Sequence, residues 1–498
     1  MLARGQTQQN LVERDPCTLF GHRHPNRTTP DWCDAAQVTI DILPDDILLC
    51  MFYVYVNGLN QREEWHTLVH VCRRWRTLVF GSPHHLDVRL FCSNRTPVLA
   101  KLDIWPAIPI VLRQYERSFY QGRKFHNLIA AIKHNDRICE IDFGSHFGAW
   151  YMEDILSEMQ VPFPELTDLK LNLDGRNITG VLPDSFLGRS APRLQHLELQ
   201  GFSFRGLPNL LLSTTNLVSL ELRRIPPSWY ISPDTMVSHL SFLTRLKSLT
   251  LEFDFALSHP DRESRHSPPK RTLLSALARL KFKGANEYAE DLLTRINAPR
   301  LNDLDIIVFD ETVFDISDLF KLISRHVSKF RASDKARVAF SHEQITATLS
   351  LPAPGYERLT LGILFYEFPG HLSSFIQLCG PLLPAFAMVE RLYIHHGCDW
   401  SGRWESGVYK LLWLQLLQFF PDAKDLYVFE EFTTCIVPAL NKLVGERTTE
   451  VLPALQNIFL HEYDELSGLT DIKAFIAARE LSGRPVAICR WNAAQWDV

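Results

Sequence analysis

One apolar spacing recurs along most of this 498-residue chain. Three apolar residues stand at positions i, i+3 and i+5, as in Leu194, Leu197 and Leu199. Alternation over the last three positions is typical of a β-strand that buries every second side chain. A single copy cannot bury its own apolar face, so the copies must stack side by side. The spacing therefore predicts an array of parallel strands, and it limits the fold more than any other feature of the sequence.

Twelve copies of this spacing follow one another, and successive copies begin 23 to 34 residues apart. That period overlaps the roughly 20–29 residues of leucine-rich repeats. The segments between copies show helical patterns or irregular, proline-containing stretches. We therefore expect an α/β leucine-rich-repeat solenoid with parallel strands on the concave face and helices or irregular returns on the convex face. An ordinary α/β domain with leucine-rich strands is the alternative. The copies begin at Ile138, Leu166, Leu194, Leu217, Leu246, Leu277, Leu301, Val327, Tyr356, Val389, Ala423 and Leu455.

Composition and charge exclude several classes of function. The chain is 46% hydrophobic and 22% charged, with a formal net charge of -5, which argues against an electrostatic nucleic-acid binder. Ten cysteines without any C-x-x-C pair favour a reducing compartment. Neither a secretory signal nor a long apolar segment is recognised, so we expect a cytoplasmic or nuclear protein with no membrane partner.

Residues 41–80 show apolar side chains at helical three- and four-residue steps instead. Residues 44–46, Pro-Asp-Asp, are typical of a helix N-terminus, because proline is tolerated in the first turn and acidic groups favour the helix dipole. Two further apolar faces begin at Trp65 and at Val71. The pattern predicts three short helices. A bundle this small is expected to complete its burial on a partner or on the following domain.

Four groups of residues in this segment follow one another in a fixed order: Leu43-Pro44-Asp45-Asp46-Ile47-Leu48, Met51-Phe52, Trp65 and Val71-Cys72-Arg73-Arg74-Trp75-Arg76. On these residues the segment resembles an F-box, and the stretches Trp65–Pro83 and Leu102–Ala107 are similar to an expanded F-box group of mushroom-forming fungi. One departure from the family is His84-His85-Leu86-Asp87, which stands where many F-boxes carry Leu-Trp.

The resemblance implies a role. F-boxes bind a Skp-family adaptor, which links them to a cullin–RING ligase, and the downstream domain holds a target protein. The chain would then be a substrate receptor of a Skp–cullin–F-box ubiquitin ligase that contributes proximity rather than catalysis. The alternative is a leucine-rich-repeat interaction scaffold with an F-box-like cap and no ligase role. The residues that match the adaptor-binding positions are Leu43, Pro44, Ile47, Leu48, Phe52, Val71, Cys72, Trp75 and Leu78, and the sequence does not divide them between adaptor contact and core.

Three aromatic residues, Tyr393, Tyr427 and Phe459, occupy the middle strand position in the last three copies. That position points away from the leucine core, and rigid exposed aromatics are favoured interface anchors. We therefore expect these residues to bind the target. The alternative is that they pack against each other or under the C-terminal tail.

No nucleotide-binding loop and no G-x-S-x-G nucleophile elbow occurs in the sequence, so we expect neither an enzyme nor a cofactor. Residues 395–399, His-His-Gly-Cys-Asp, are rich in ligand types, but sequence neighbours cannot easily share one tetrahedral ion, and we expect no metal site. The expected divisions are a disordered arm (1–38), an F-box (39–85), a connecting segment (86–130), the repeat domain (131–485) and a C-terminal tail (486–498).

Overall fold

The strands of this chain were located in a computed structural model. Their bounds are β1 Leu90–Cys92, β2 Ile110–Arg113, β3 Ile138–Phe147, β4 Asp168–Leu173, β5 Gly180–Val181, β6 His196–Gln200, β7 Phe202–Ser203, β8 Ser219–Ile225, β9 Ser248–Phe253, β10 Thr272–Leu273, β11 Arg279–Gly284, β12 Ile296–Asn297, β13 Asp303–Phe309, β14 Lys335–Phe340, β15 Gln344–Ser350, β16 Arg358–Leu364, β17 Arg391–His396, β18 Asp425–Val428, β19 Asn457–His461 and β20 Ala487–Trp491. The residues that the structure describes are 40–58, 65–93, 102, 105, 108–113, 122–147, 149–173, 179–226, 229–254, 271–309, 323, 333–341, 343–351, 357–365, 371–396, 410–443, 447, 449–461 and 467–491.

Sixteen of these strands form one sheet, in the order β1-β2-β3-β4-β6-β8-β9-β11-β13-β16-β15-β14-β17-β18-β19-β20. All neighbours in it pair in parallel except β14 with β15 and β15 with β16. Two short parallel pairs, β5 with β7 and β10 with β12, stand apart from the large sheet. The prediction of an α/β fold built on a large parallel sheet is confirmed.

The repeated leucines build the core of this sheet. Leu194, Leu197 and Leu199 are each at most 2% exposed, and the corresponding residues of neighbouring repeats join the same buried cluster. The first leucine of a repeat also closes a tight turn. Its backbone N–H donates to the carbonyl oxygen three residues earlier, as from Leu217 to Thr214 (3.0 Å) and from Leu246 to Leu243 (3.1 Å). Each strand therefore begins from the same local geometry.

Helices cover the leucine side of the sheet in several returns, and residues of every described helix from 122 onward belong to the same cluster as the strand leucines. Their bounds, with those of the other helices in the described residues, are α1 Asp45–Gly58, α2 Trp65–Val71, α3 Arg73–Gly81, α4 Gly122–Ile132, α5 Ala149–Glu158, α6 Leu207–Ser213, α7 Pro233–Leu240, α8 Asn286–Arg295, α9 His371–Cys379, α10 Leu383–Phe386, α11 Lys410–Leu417, α12 Glu430–Leu440 and α13 Ser467–Leu481.

The middle of the sheet departs from a simple array. The strand beside β13 is β16 rather than β14. β15 pairs with β16 in antiparallel orientation, and β14 pairs with β17. The prediction of uniformly parallel strands is wrong here, because only three residues separate β14 from β15 in the chain, and a connection that short allows only antiparallel pairing. β15 alternates through Ile345, Ala347 and Leu349 without the i, i+3, i+5 spacing. The copy predicted at Val327 lies outside the described residues.

The sheet also extends past the predicted repeat limits of 131 and 485. β1 and β2 lie within the segment expected to be a connection, and β20 lies within the segment expected to be a tail. β1 is buried at every position, and so are the first three residues of β2, so neither strand shows the alternation that marks the repeats. The predicted disordered arm, residues 1–38, lies outside the described residues.

Candidate functional site

Helices α1, α2 and α3 pack around a small core of their own. Trp65 lies at its centre at 1% exposure, and its Nε1 donates to the carbonyl oxygen of Arg89, 3.0 Å away, just before β1. The ring of Trp105 lies 5.3 Å from that of Trp65 and contacts both this core and the leucine core. The helical segment is therefore attached to the first strand of the sheet. The core residues are Leu48, Phe52, Val56, Trp65, Leu68, Val69, Val79, Leu86, Val88 and Ile108.

Polar contacts fix how α1 lies against α3. Arg74 Nη2 donates to Asp45 Oδ1 and to the carbonyl oxygen of Leu43, both at 2.6 Å. Cys72 caps α3, because its Sγ accepts from the backbone N–H of Trp75 at 3.5 Å. The predicted site residue Cys72 thus has a structural role at the start of the helix, and Leu43 is half-buried beside the core.

The residues predicted to bind the adaptor fall into two groups. Leu48 and Phe52 are 0% and 2% exposed, and the ring of Phe52 packs 4.6 Å from that of Trp75, so direct adaptor contact does not fit their burial. Trp75 and Leu78 pack partly buried against the same core.

Pro44, Ile47 and Val71 instead face solvent, with Ile47 44% and Val71 57% exposed. The structure therefore divides the predicted set into residues that hold α1 in place and residues that a partner can reach.

An exposed apolar row on α1 was not predicted as a unit. Ile47, Met51 and Val54 lie at i, i+4 and i+7, on one face of the helix, and are 44%, 45% and 69% exposed; Tyr55 beside them is 39% exposed. We call these four residues the α1 surface. Of the large apolar side chains that are exposed in the described residues, eight of eighteen fall between residues 40 and 71. The signal in the sequence was that α1 is apolar at more positions than one buried face requires.

The face of the sheet opposite the leucine core, here called the polar face, carries ion pairs between neighbouring strands. Lys170 and Glu198 approach to 2.9 Å, and Lys281 and Glu252 to 3.0 Å. Residues of β3, β4, β6 and β8 line a shallow groove of about 250 Å³ there. Most charged side chains along these strands are carboxylates, so the polar face is acidic on this side.

Asp305 lies in the middle of the polar face, on β13. Burial raises the pKa of its carboxyl to about 6, although the nearby cations Lys281 and Arg358 act in the opposite direction. Its Oδ1 atom is buried and has no hydrogen-bond partner among the described residues. Asp305 is thus a carboxylate whose ionised form the fold disfavours.

The predicted target-binding residues are brought together by strand register. Tyr393, Tyr427 and Phe459 are direct partners on β17, β18 and β19. Their rings stack, with centroids 4.3 Å apart in both pairs and interplanar angles of 10° and 7°. All three remain half-exposed, and Trp491 packs edge-on against Tyr427 at 5.5 Å. We call the three stacked rings the aromatic ladder.

The tyrosine hydroxyls of this ladder resist ionisation. Burial, and then the neighbouring Tyr393 and Asp425, raise the pKa of Tyr427 to about 12, and burial also raises the pKa of Tyr393. The ladder therefore presents neutral hydroxyls and ring edges to solvent. The rings contact each other, as the alternative from the sequence anticipated, yet their outer edges stay accessible, and whether they bind a target stays a prediction.

His395 follows Tyr393 on β17. Its Nδ1 lies 3.0 Å from the carbonyl oxygen of His396, and burial lowers its pKa. In the part of the chain that the structure describes, no group of three or more His, Cys, Asp or Glu side chains is placed to hold a metal ion. Residues 397–399 of the same motif lie outside it.

No family model matches the chain, and neither does any curated protein. Among solved structures it is similar to the leucine-rich repeat-containing protein LegL7 from Legionella pneumophila, with 14% sequence identity and a TM-score of 0.27, over 66% of this chain and 94% of that one. A likeness this weak carries no argument about function. Within the described residues, no helix has both the length and the apolar character needed to cross a membrane.

Proposed function

We propose that this chain is a substrate receptor of a Skp–cullin–F-box ubiquitin ligase, in which the helical segment docks the Skp-family adaptor and the repeat domain holds a target protein. The observation that carries the proposal is the α1 surface. It coincides with the segment whose residues match the F-box pattern. The chain would supply binding and geometry, and the associated enzyme would supply the chemistry.

The two apolar faces of α1 support this proposal. One face, with Leu48 and Phe52, completes the helical core. The other, with Ile47, Met51 and Val54, contacts water. Apolar surface gains roughly 25 cal/mol per Å² when a partner covers it, so a helix that stays apolar on both faces favours association. The adaptor is the occupant that the F-box resemblance implies.

The aromatic ladder supports the receptor half of the proposal. Stacking leaves Tyr393, Tyr427 and Phe459 little rotamer freedom, so little side-chain entropy remains to be lost when a target binds. The ladder also ends beside Cys489, its small register partner on β20. We propose that a planar target side chain stacks there on the outer face of Phe459.

The test uses the full chain and a purified Skp-family adaptor. The variant Ile47→Glu with Met51→Glu places charge on the α1 surface without touching the helical core. We expect wild type to bind in a biolayer interferometry titration and the variant to bind at least about tenfold more weakly.

Leu411→Glu is the matched control, because Leu411 is an exposed apolar residue (64%) on helix α11. It should bind as wild type does, and all three proteins should give the same circular dichroism spectrum. Absence of adaptor binding by wild type, or equal binding by the α1 variant, would refute the ligase proposal.

A scaffold with an F-box-like cap is the second candidate, favoured by the attachment of the helices to β1. Trp65 and Trp105 tie the helical core to the first strand of the sheet, as a cap that protects the end of a repeat array would require. The adaptor titration separates the two candidates. A cap alone predicts no adaptor binding, and it predicts that Trp105→Ala exposes the amides of β1 and β2 to hydrogen exchange.

A further inference from the structure

The edge of the sheet at which β8, β9, β11 and β13 begin repeats one geometry four times. In each case the backbone N–H of the first leucine of the repeat donates to the carbonyl oxygen of the residue three positions earlier, with N···O distances of 3.0 to 3.2 Å. Backbone bonds also join neighbouring repeats here, as from Lys247 N–H to the carbonyl oxygen of Val218 at 2.8 Å. Residues four and five positions before each first leucine therefore occupy equivalent places in neighbouring repeats.

Three consecutive repeats place a large exposed apolar side chain at this edge. Leu212, Phe242 and Leu273 are 48%, 53% and 60% exposed. The strands that follow these residues lie about 4.8 Å apart, so the three residues span at least about 10 Å. An α-helix covers the same distance in seven residues, the separation of apolar positions i, i+3 or i+4, and i+7. The row therefore has the length of two turns of an amphipathic helix.

Cations are concentrated in three of the four segments that form this edge. The four edge stretches 211–219, 240–248, 271–279 and 295–303 contain six arginines or lysines and one carboxylate, Asp303. Asp303 is bound by Arg358, and among the six cations Arg295 pairs with Asp234. The others, Arg245, Lys247, Arg271, Arg279 and Arg300, are all exposed. A chain with a net charge of -5 thus concentrates positive charge at one edge.

We propose that this edge is a docking surface for an acidic amphipathic helix of a partner protein, with Leu212, Phe242 and Leu273 contacting its apolar side chains. The cations attract its carboxylates, which favours an acidic helix over a basic one at this edge. A protein helix fits better than a membrane because the apolar row is one residue wide, whereas a membrane requires a broad apolar plane. The proposal does not depend on adaptor docking, since the α1 surface lies on a different element.

The test selects binders from a display library of random 16-residue peptides on the full-length protein. We expect selected peptides to be enriched in Asp and Glu and to carry Leu, Phe or Trp at helical spacing. Binding of the best peptide should fall at least about tenfold in Phe242→Ser with Leu273→Ser. It should fall similarly in Arg245→Glu with Lys247→Glu, which changes exposed charges only and keeps the test valid if the first variant misfolds.

The control variant, Lys410→Glu with Leu411→Ser, alters a cation and an exposed leucine on helix α11 and should bind as wild type does. Selected peptides without acidic enrichment, or peptides that bind the edge variants equally well, would overturn the proposal. So would tight binding to vesicles of 30% phosphatidylserine in phosphatidylcholine that both edge variants abolish, because that result assigns the edge to a membrane instead.

Discussion

Replacing Asp305 by asparagine should stabilise the fold in a pH-dependent way. The carboxyl pKa is raised from its ordinary 3.8 to about 6 in the folded chain. Between pH 3.8 and about pH 6 the unfolded chain releases the proton of Asp305 while the folded chain keeps it. The free energy of unfolding therefore falls as pH rises through this range and no longer changes, as far as Asp305 is concerned, above about pH 6. The difference corresponds to at most about 3 kcal/mol, and Asp305→Asn should recover part of it, about 1–2 kcal/mol at pH 7.5 and almost none at pH 4.

Urea unfolding followed by circular dichroism measures this difference at both pH values, with wild type and variant compared at each, so that other titrating groups cancel. Lys281→Met provides a second check, because Lys281 lowers the pKa of Asp305 and its removal should deepen the loss of stability above pH 6. An asparagine variant whose stability gain is equal at pH 4 and pH 7.5 would refute the reasoning, since the carboxyl would then not differ between the folded and unfolded chains.

Three further outcomes are expected. Arg479→Met should lower the free energy of unfolding by about 2–3 kcal/mol in urea titrations, because its fully buried guanidinium donates to backbone carbonyls that would lose their partner. Tyr427→Leu should cost about 1–3 kcal/mol and reduce the near-ultraviolet circular dichroism signal, since it removes both stacked contacts of the aromatic ladder. Burial raises the pKa of the Cys379 thiol, so iodoacetamide at pH 8 should alkylate exposed Cys50 in the native protein and Cys379 only after unfolding, as read by mass spectrometry.

The repeat strands were predictable because their spacing is itself a pattern of burial. Leu220 and Leu222, like their equivalents in other repeats, are buried where the i, i+3, i+5 rule places them. The rule fails for β1 and β2, which are buried on both faces, and for β15, whose Ile345 and Ala347 alternate without a preceding leucine three residues earlier. The reversed strand order depends on a hairpin, which a single repeat formula does not encode.

The candidate sites divide in the same way. The aromatic ladder followed from the repeat formula, because equal positions in neighbouring copies become register partners. The α1 surface did not, since Leu48 and Met51 look alike in sequence and only packing decides which one is buried. The sheet edge proposed to dock an acidic helix was not predicted from the sequence, because its cations and apolar residues belong to four segments that are about 30 residues apart in the chain.

The reversed strand order in the middle of the sheet has a consequence for how the chain assembles. In a simple repeat array each unit docks on the one made before it, so folding can propagate steadily along the chain. Here the neighbour of β13 is β16, which follows β14 and β15 in the chain. The ion pair between Asp303 and Arg358, which joins β13 to β16, therefore connects residues 55 positions apart. Closing that loop costs entropy before any contact repays it. The array is therefore expected to assemble as two blocks, β1 to β13 and β17 to β20, with β14 to β16 as the clasp whose closure makes them one cooperative unit.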